Sequence, residues 1–157
     1  MFDFGGIQEK LQIYKSDCSD RRLNPFDYVM LCGFQYALNQ IEDAITTAKV
    51  FAELYGNVLG VWLLDDDLDW FKRSLTCYLH DDYDGCIGHL DGVFKMKYPV
   101  RVYTKAHIIK SVAINMTDNW NDPDSAASQA MIEMVKAANY YMQTKIEEGI
   151  KDESQEG

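Results

Sequence analysis

The stretch from residue 25 to residue 56, PFDYVMLCGFQYALNQIEDAITTAKVFAELYG, decides the fold that this sequence predicts. Its apolar residues recur every three or four positions, the spacing that aligns side chains along one face of an α-helix. Asn24 is a suitable N-cap, Pro25 suits the first helical position, and Gly56-Asn57 can end the helix. The pattern predicts one uninterrupted helix of about 45 Å, because each residue advances an α-helix by ~1.5 Å. A second apolar row lies beside the first, so we expect this helix to be the central core element.

The composition indicates one folded domain and restricts its function. A chain of 157 residues can bury a self-sufficient core, and its apolar content of 47% excludes disorder over most of its length. The formal charge of −10 disfavours a nucleic-acid or membrane-surface binder, which needs a basic surface, and no apolar run is long enough to span a membrane. Four cysteines and a start without a secretion signal predict a reduced, cytoplasmic protein. We expect a single domain over 1–150 and a flexible acidic tail over 151–157.

Beyond the long helix, the sequence predicts an α+β fold that is mostly helical. An alternation of apolar and polar residues predicts a strand over 93–103. Its partners in a sheet of two or three strands would be the apolar runs 58–64 and 108–116, although the second run fits a helix equally well. An Asp-Pro pair opens a second long helix over 123–148. An all-α bundle is the alternative fold.

Two cysteines and two histidines form the strongest predicted site for chemistry. Cys77 and His80 make one Cys-x-x-His pair, and Cys86 and His89 make another after a gap of five residues. Zinc takes four such ligands in a tetrahedron, often as two pairs with this internal spacing. We expect the first pair to end a helix and the second to lie in a glycine-containing loop over 81–91. The alternative interpretation is a buried cysteine with solvated histidines, so the sequence predicts no cofactor first and zinc second.

The same segment resembles the calcium-binding loop of an EF-hand. Asp82, Asp84 and Gly85 match the third, fifth and sixth positions of that loop. The first position holds His80 in place of aspartate, and the twelfth holds Asp91 in place of a bidentate glutamate. The calcium and zinc interpretations compete for His80, so only one of them can hold.

Charge is distributed unevenly along the chain. Residues 92–117 contain no acidic residue, whereas residues 65–91 contain eight aspartates and two basic residues. Separated zones of opposite charge steer association with a partner. The alternative is that the zones pair within the molecule, each surface pair contributing ~0–1 kcal/mol. The predicted partner-binding residues are the basic Lys95, Lys97, Arg101 and Lys105, and the acidic Asp65, Asp66, Asp67, Asp82 and Asp84.

These features favour binding of a macromolecular partner over catalysis. The sequence has no nucleophile elbow, phosphate-binding glycine loop or dinucleotide fingerprint, but its three Trp and ten Tyr residues offer interface anchors. We expect a protein partner for a small acidic adaptor, inhibitor or assembly factor, including a DNA-mimic inhibitor of the kind that phages and mobile elements encode. Direct nucleic-acid binding is not expected, and a homodimer through the long helix is compatible with the pattern. The alternative function is a zinc-dependent enzyme, or a zinc-stabilised regulatory domain, that uses Cys77, His80, Cys86 and His89.

Overall fold

The computed structural model describes residues 25–56, 69–117 and 123–156. The described residues form six α-helices and no β-strand, so they make an all-helical bundle. The predicted α+β fold with a sheet is therefore wrong, and the all-α alternative is the architecture that forms. The helices are α1 (Pro25–Ala37), α2 (Ile41–Tyr55), α3 (Asp69–Leu79), α4 (Tyr83–Phe94), α5 (Val100–Met116) and α6 (Pro123–Glu156).

A turn at residues 38–40 divides the predicted N-terminal helix into α1 and α2. Asn39 takes a φ of 61°, a left-handed conformation that asparagine adopts more readily than most residues. The turn folds α2 back against α1, so that the rings of Tyr28 and Phe51 meet edge to face at 6.2 Å. An apolar stripe is buried equally well in a continuous helix and in a hairpin of two helices. The periodicity therefore could not reveal the break.

Helix α5, and not the N-terminal stretch, lies at the centre of the bundle. Eleven of its seventeen residues are buried, and α2, α4 and α6 all pack against it. Residues that are buried around most of a helix indicate that other elements surround it. The prediction that a single helix over 25–56 forms the central element is therefore wrong.

The segment 93–103, predicted as a strand, spans a helix–turn–helix junction. Phe94 ends α4, and Pro99 is the residue before α5, with φ −56° and ψ 151°. Met96, which the alternation would place in the core, is 50% exposed. The alternation arose by chance from the end of one helix, a turn and the start of the next. The ambiguous run 108–116 is helical, and the strand predicted over 58–64 lies outside the described residues.

Helix α4 occupies most of the segment 81–91, for which the sequence predicted a loop. The side chain of Asp82 caps this helix by accepting a hydrogen bond from the backbone N–H of Gly85 at 3.0 Å. Burial of one face offsets the low helix propensity of its glycines, which costs roughly 1 kcal/mol each. The buried residues of that face are Cys86, Leu90 and Val93.

Helix α6 begins at Pro123, as predicted, and runs to Glu156, past the predicted end at Glu148. It packs along α5 and also contacts α1 and α2. No helix in the described part of the chain is both long enough and apolar enough to cross a membrane. The single domain over 1–150 and the flexible tail over 151–157 stay predictions.

Candidate functional site

The four predicted zinc ligands lie around the turn between α3 and α4. Cys77 is half-buried near the end of α3, His80 is exposed in the turn, Cys86 is buried in α4, and His89 is half-buried one turn later. Burial, with the nearby Cys77 and Asp82, raises the pKa of the Cys86 thiol to about 12. Burial and the Asp82 carboxylate also raise the pKa of Cys77. Both thiols are therefore harder to deprotonate than a solvated cysteine in this arrangement.

The described residues hold no group of three or more His, Cys, Asp or Glu side chains arranged around a metal position. The calcium pattern falls on α4 and its N-cap, so this segment does not have the loop conformation of an EF-hand. Zinc and calcium binding at 77–91 both stay predictions.

The predicted partner-binding charges lie mainly at the two ends of α4. Asp82 and Asp84 are exposed at its start, and Lys95 and Lys97 are exposed in the turn that follows it. The twelve residues of α4 separate these ends by about 18 Å, at ~1.5 Å per residue. The opposite charges are therefore held apart along one helix.

The remaining predicted partner-binding residues have different surroundings. Arg101 is exposed in the first turn of α5, whereas Lys105 is only 9% exposed. The three acids at 65–67 (Asp65, Asp66 and Asp67) lie outside the described residues. Lys110 and Asp91 bring the two charge zones together within the molecule, with 3.7 Å between Nζ and Oδ1.

An open cleft of about 700 Å³ lies where α5 and α6 meet the end of α4. Helix periodicity brings its residues together, because they follow one another at steps of three and four along α5 and α6. Helix α4 contributes Phe94, α5 contributes Tyr103, His107 and Lys110, and α6 contributes Glu133, Lys136, Asn139 and Tyr140.

A buried His–Glu pair forms part of the cleft wall. Nδ1 of His107 lies 2.5 Å from Oε2 of Glu133, and the two side chains are 9% and 8% exposed. Burial opposes ionisation of Glu133, but the hydrogen bond with His107 and the charges of His107, Lys110 and Lys136 outweigh it and lower its pKa. An ionised carboxylate can only accept, so Nδ1 donates the proton in this bond. Nε2 has no hydrogen-bond partner among the described residues.

Aromatic rings fix the orientation of His107. The ring of Phe94 stacks on the imidazole at 4.3 Å and 18°, and the ring of Tyr140 stacks at 5.6 Å and 8°. Tyr103 extends the row, with its ring centre 5.5 Å from that of Tyr140. Two rings therefore stack on the imidazole and restrict its rotation.

Two lysines share the second oxygen of Glu133. Nζ of Lys110 and Nζ of Lys136 each lie 3.5 Å from Oε1. Lys110 also lies over the Phe94 ring, 5.5 Å from its centre. An ammonium group has three N–H donors, so both lysines keep donors for a further acceptor.

Tyr103 connects the cleft to the turn that carries Lys95 and Lys97. Its hydroxyl donates to the carbonyl of Met96 and accepts from the backbone N–H of Tyr98 at 3.1 Å. A residue of the cleft wall therefore holds the turn in place.

This cleft was not predicted from the sequence. None of its residues is among the site residues predicted from the sequence, although Lys110 lies in the segment 92–117 that contains no acidic residue. A helix from Val100 onwards places Tyr103, His107 and Lys110 on one face, which is a recognisable polar stripe in an apolar segment. The pairing with Glu133 carries no local signal, because that residue lies 26 positions away from His107.

Comparison with protein-family models, with curated proteins and with solved structures gave no match to this chain. Any function proposed for the protein therefore depends on the fold and the contacts of its described residues.

Proposed function

We propose that this protein acts by binding a protein partner and that the turn between α4 and α5 contacts an acidic surface of that partner. The observation that carries the proposal is the exposed Lys95-Met96-Lys97 sequence. Both lysines are exposed, and Met96 between them is 50% exposed. Neither lysine forms an ion pair with another described residue, so both charges are available to a partner.

Hydrogen bonds constrain the turn, which favours binding. The N–H of Lys95 donates to the carbonyl of Gly92 at 3.3 Å, and the N–H of Met96 donates to Val93 at 3.1 Å. The Tyr103 hydroxyl bonds to the same turn from α5. A surface that is already ordered loses less conformational entropy when a partner binds. A flexible, apolar methionine flanked by charges suits an interface with an apolar centre and a polar rim.

The charge of the whole chain makes this turn distinctive. The protein carries a formal charge of −10, so its net charge repels an acidic partner. The turn attracts such a partner, while Asp82 and Asp84 at the opposite end of α4 disfavour the reverse orientation. Charge arranged in this way favours one orientation of the partner and speeds association more than it raises the affinity.

An adaptor, an inhibitor and an assembly factor would each use such a surface. The exposed lysines of the turn argue against a DNA mimic, which presents negative charge throughout. Nothing in the described residues favours the zinc-dependent alternative, and we do not propose it. Cytoplasmic localisation and a homodimer stay predictions.

A charge-reversal experiment tests the proposal. The tagged protein is used to capture partners from a lysate of its own cells, and Lys95→Glu with Lys97→Glu is compared with wild type. We expect at least tenfold weaker binding of the specific partner in the double variant, and binding that weakens with salt. Lys49→Glu with Lys145→Glu is the matched control, because it changes the charge equally at exposed sites on α2 and α6. A partner that binds the 95/97 variant as tightly as the control would refute the proposal.

A further inference from the structure

We propose that the cleft between α5 and α6 binds a small organic anion, a carboxylate or phosphate carried on a ring-sized apolar body. This site is distinct from the docking turn, and the two proposals stand independently. Its volume of about 700 Å³ lies within the range of small-molecule sites, roughly 300–1,000 Å³. Its lining divides equally between rings and polar groups, which is the combination that an amphiphilic ligand requires.

The charges in the cleft select an anion. Oε2 of Glu133 is bonded to His107, and Oε1 is shared by Lys110 and Lys136. A cationic ligand would meet a carboxylate that is already engaged and two ammonium groups beside it. An anionic ligand would accept hydrogen bonds from the remaining ammonium donors. Asp91 lies 3.7 Å from Lys110, but its side chain is 52% exposed and screened by water.

Further polar groups in the cleft lack partners. The side chains of Asn139 and Tyr140 form no hydrogen bond with another described residue, and both line the cleft. Nε2 of His107 also has none, although its ring is buried and held by Phe94 and Tyr140. Among the described residues, the buried polar side-chain atoms without a partner are Gln40 Oε1 and Asn115 Nδ2, so Nε2 of His107 is open to the cleft, where a ligand atom can reach it.

The aromatic residues suit the body of the same ligand. The rings of Phe94 and Tyr140 stack on His107, and all three side chains line the cleft. The Tyr103 and Tyr140 rings offer apolar surface to that body. A ligand with a ring and one acidic group would therefore contact both the aromatic and the charged residues of the cleft.

Four probes of similar size test the charge selection. The isotope-labelled full chain is titrated with benzoate, phenyl phosphate, benzyl alcohol and benzylamine, and the amide signals are followed by NMR. We expect at least one anion to shift signals of α5 and α6 around His107 and Lys136, with at least tenfold higher affinity than the neutral and cationic probes. The stronger of the two anions identifies a carboxylate or a phosphate as the natural group. Equal binding of all four probes, or no binding of either anion at millimolar concentration, refutes the proposal.

A pair of lysine variants tests the location. Lys136→Met removes a cleft ammonium from an exposed position on α6, so we expect the fold to persist and the affinity to fall about tenfold. Lys145→Met is the matched control, because Lys145 lies on the same helix, is similarly exposed and also pairs with a glutamate three residues away. Unchanged affinity in Lys136→Met, or an equal loss in both variants, places the anion elsewhere and overturns the proposal. Binding by the 95/97 charge-reversal variant at wild-type affinity separates this site from the docking turn.

Discussion

The most informative prediction concerns Glu133, whose carboxylate is buried against His107 and two lysines. In Glu133→Gln the amide oxygen can still accept the hydrogen bond from Nδ1, so the substitution removes charge and preserves shape. Hydrogen bonds to charged groups contribute about 1.5–3 kcal/mol to stability, against roughly 0.5–1.5 kcal/mol for neutral ones. We therefore expect Glu133→Gln to lower the free energy of unfolding by about 1–2 kcal/mol at pH 7.

The lowered pKa of Glu133 also predicts how its contribution to the free energy of unfolding depends on pH. The pKa of Glu133 is lowered in the folded protein, because its hydrogen bond with His107 and the neighbouring positive charges outweigh burial. Its ionisation therefore stabilises the fold fully above the ordinary pKa of 4.5, and this stabilisation is lost as the pH falls through the lower folded value. The difference between wild type and Glu133→Gln should thus disappear at the acidic end of the range in which the protein is folded.

Urea unfolding, followed by circular dichroism at several pH values, measures both effects. Glu53→Gln serves as the control, since Glu53 is exposed on α2 and its substitution should change stability by less than ~0.5 kcal/mol. The reasoning fails if Glu133→Gln is as stable as wild type at pH 7. It also fails if the loss is the same at every pH, because the charge would then contribute nothing.

Four further predictions concern helix packing, capping and the turn, and thermal or urea unfolding measures each of them. Gly33→Ala should destabilise by about 1–3 kcal/mol, because its Cβ would lie 2.7 Å from the Cβ of Ala138 where α1 crosses α6. Gly88→Ala is the contrasting variant in α4: apart from the neighbouring backbone of its own helix, no atom of the described residues lies within 4 Å of its Cβ, so we expect stabilisation of about 0.5–1 kcal/mol, and a loss would contradict the packing. Asp82→Ala removes the N-cap of α4 and should cost about 1 kcal/mol, whereas no effect would show that the cap is dispensable. Asn39→Val should cost at least ~1 kcal/mol and Asn39→Gly almost nothing, since only the β-branched residue resists a φ of 61°.

The sequence by itself determined several helix starts and much of the burial. Pro25 and Pro123 open α1 and α6, as their fixed φ and missing N–H predict. Within the segment predicted as one helix, Phe34, Ala48 and Ala52 are buried, as their spacing indicates. These features depend on interactions within one or two turns, which are present in the local sequence. The helix starts and the burial pattern are therefore the same whichever helix packs against the apolar face.

Only the tertiary structure decided the break at Asn39, the helical state of 93–103 and the cleft. The break lets Tyr28 pack against Phe51, 23 residues later, and a periodicity of three and four is identical with and without it. Residues 93–103 alternate in hydrophobicity, but the burial of α4 and α5 in a common core outweighs that local pattern. The cleft needs His107 and Glu133 from two helices in contact. Such contacts are made by the packing of distant segments, so their energies have no counterpart in the local pattern of residues.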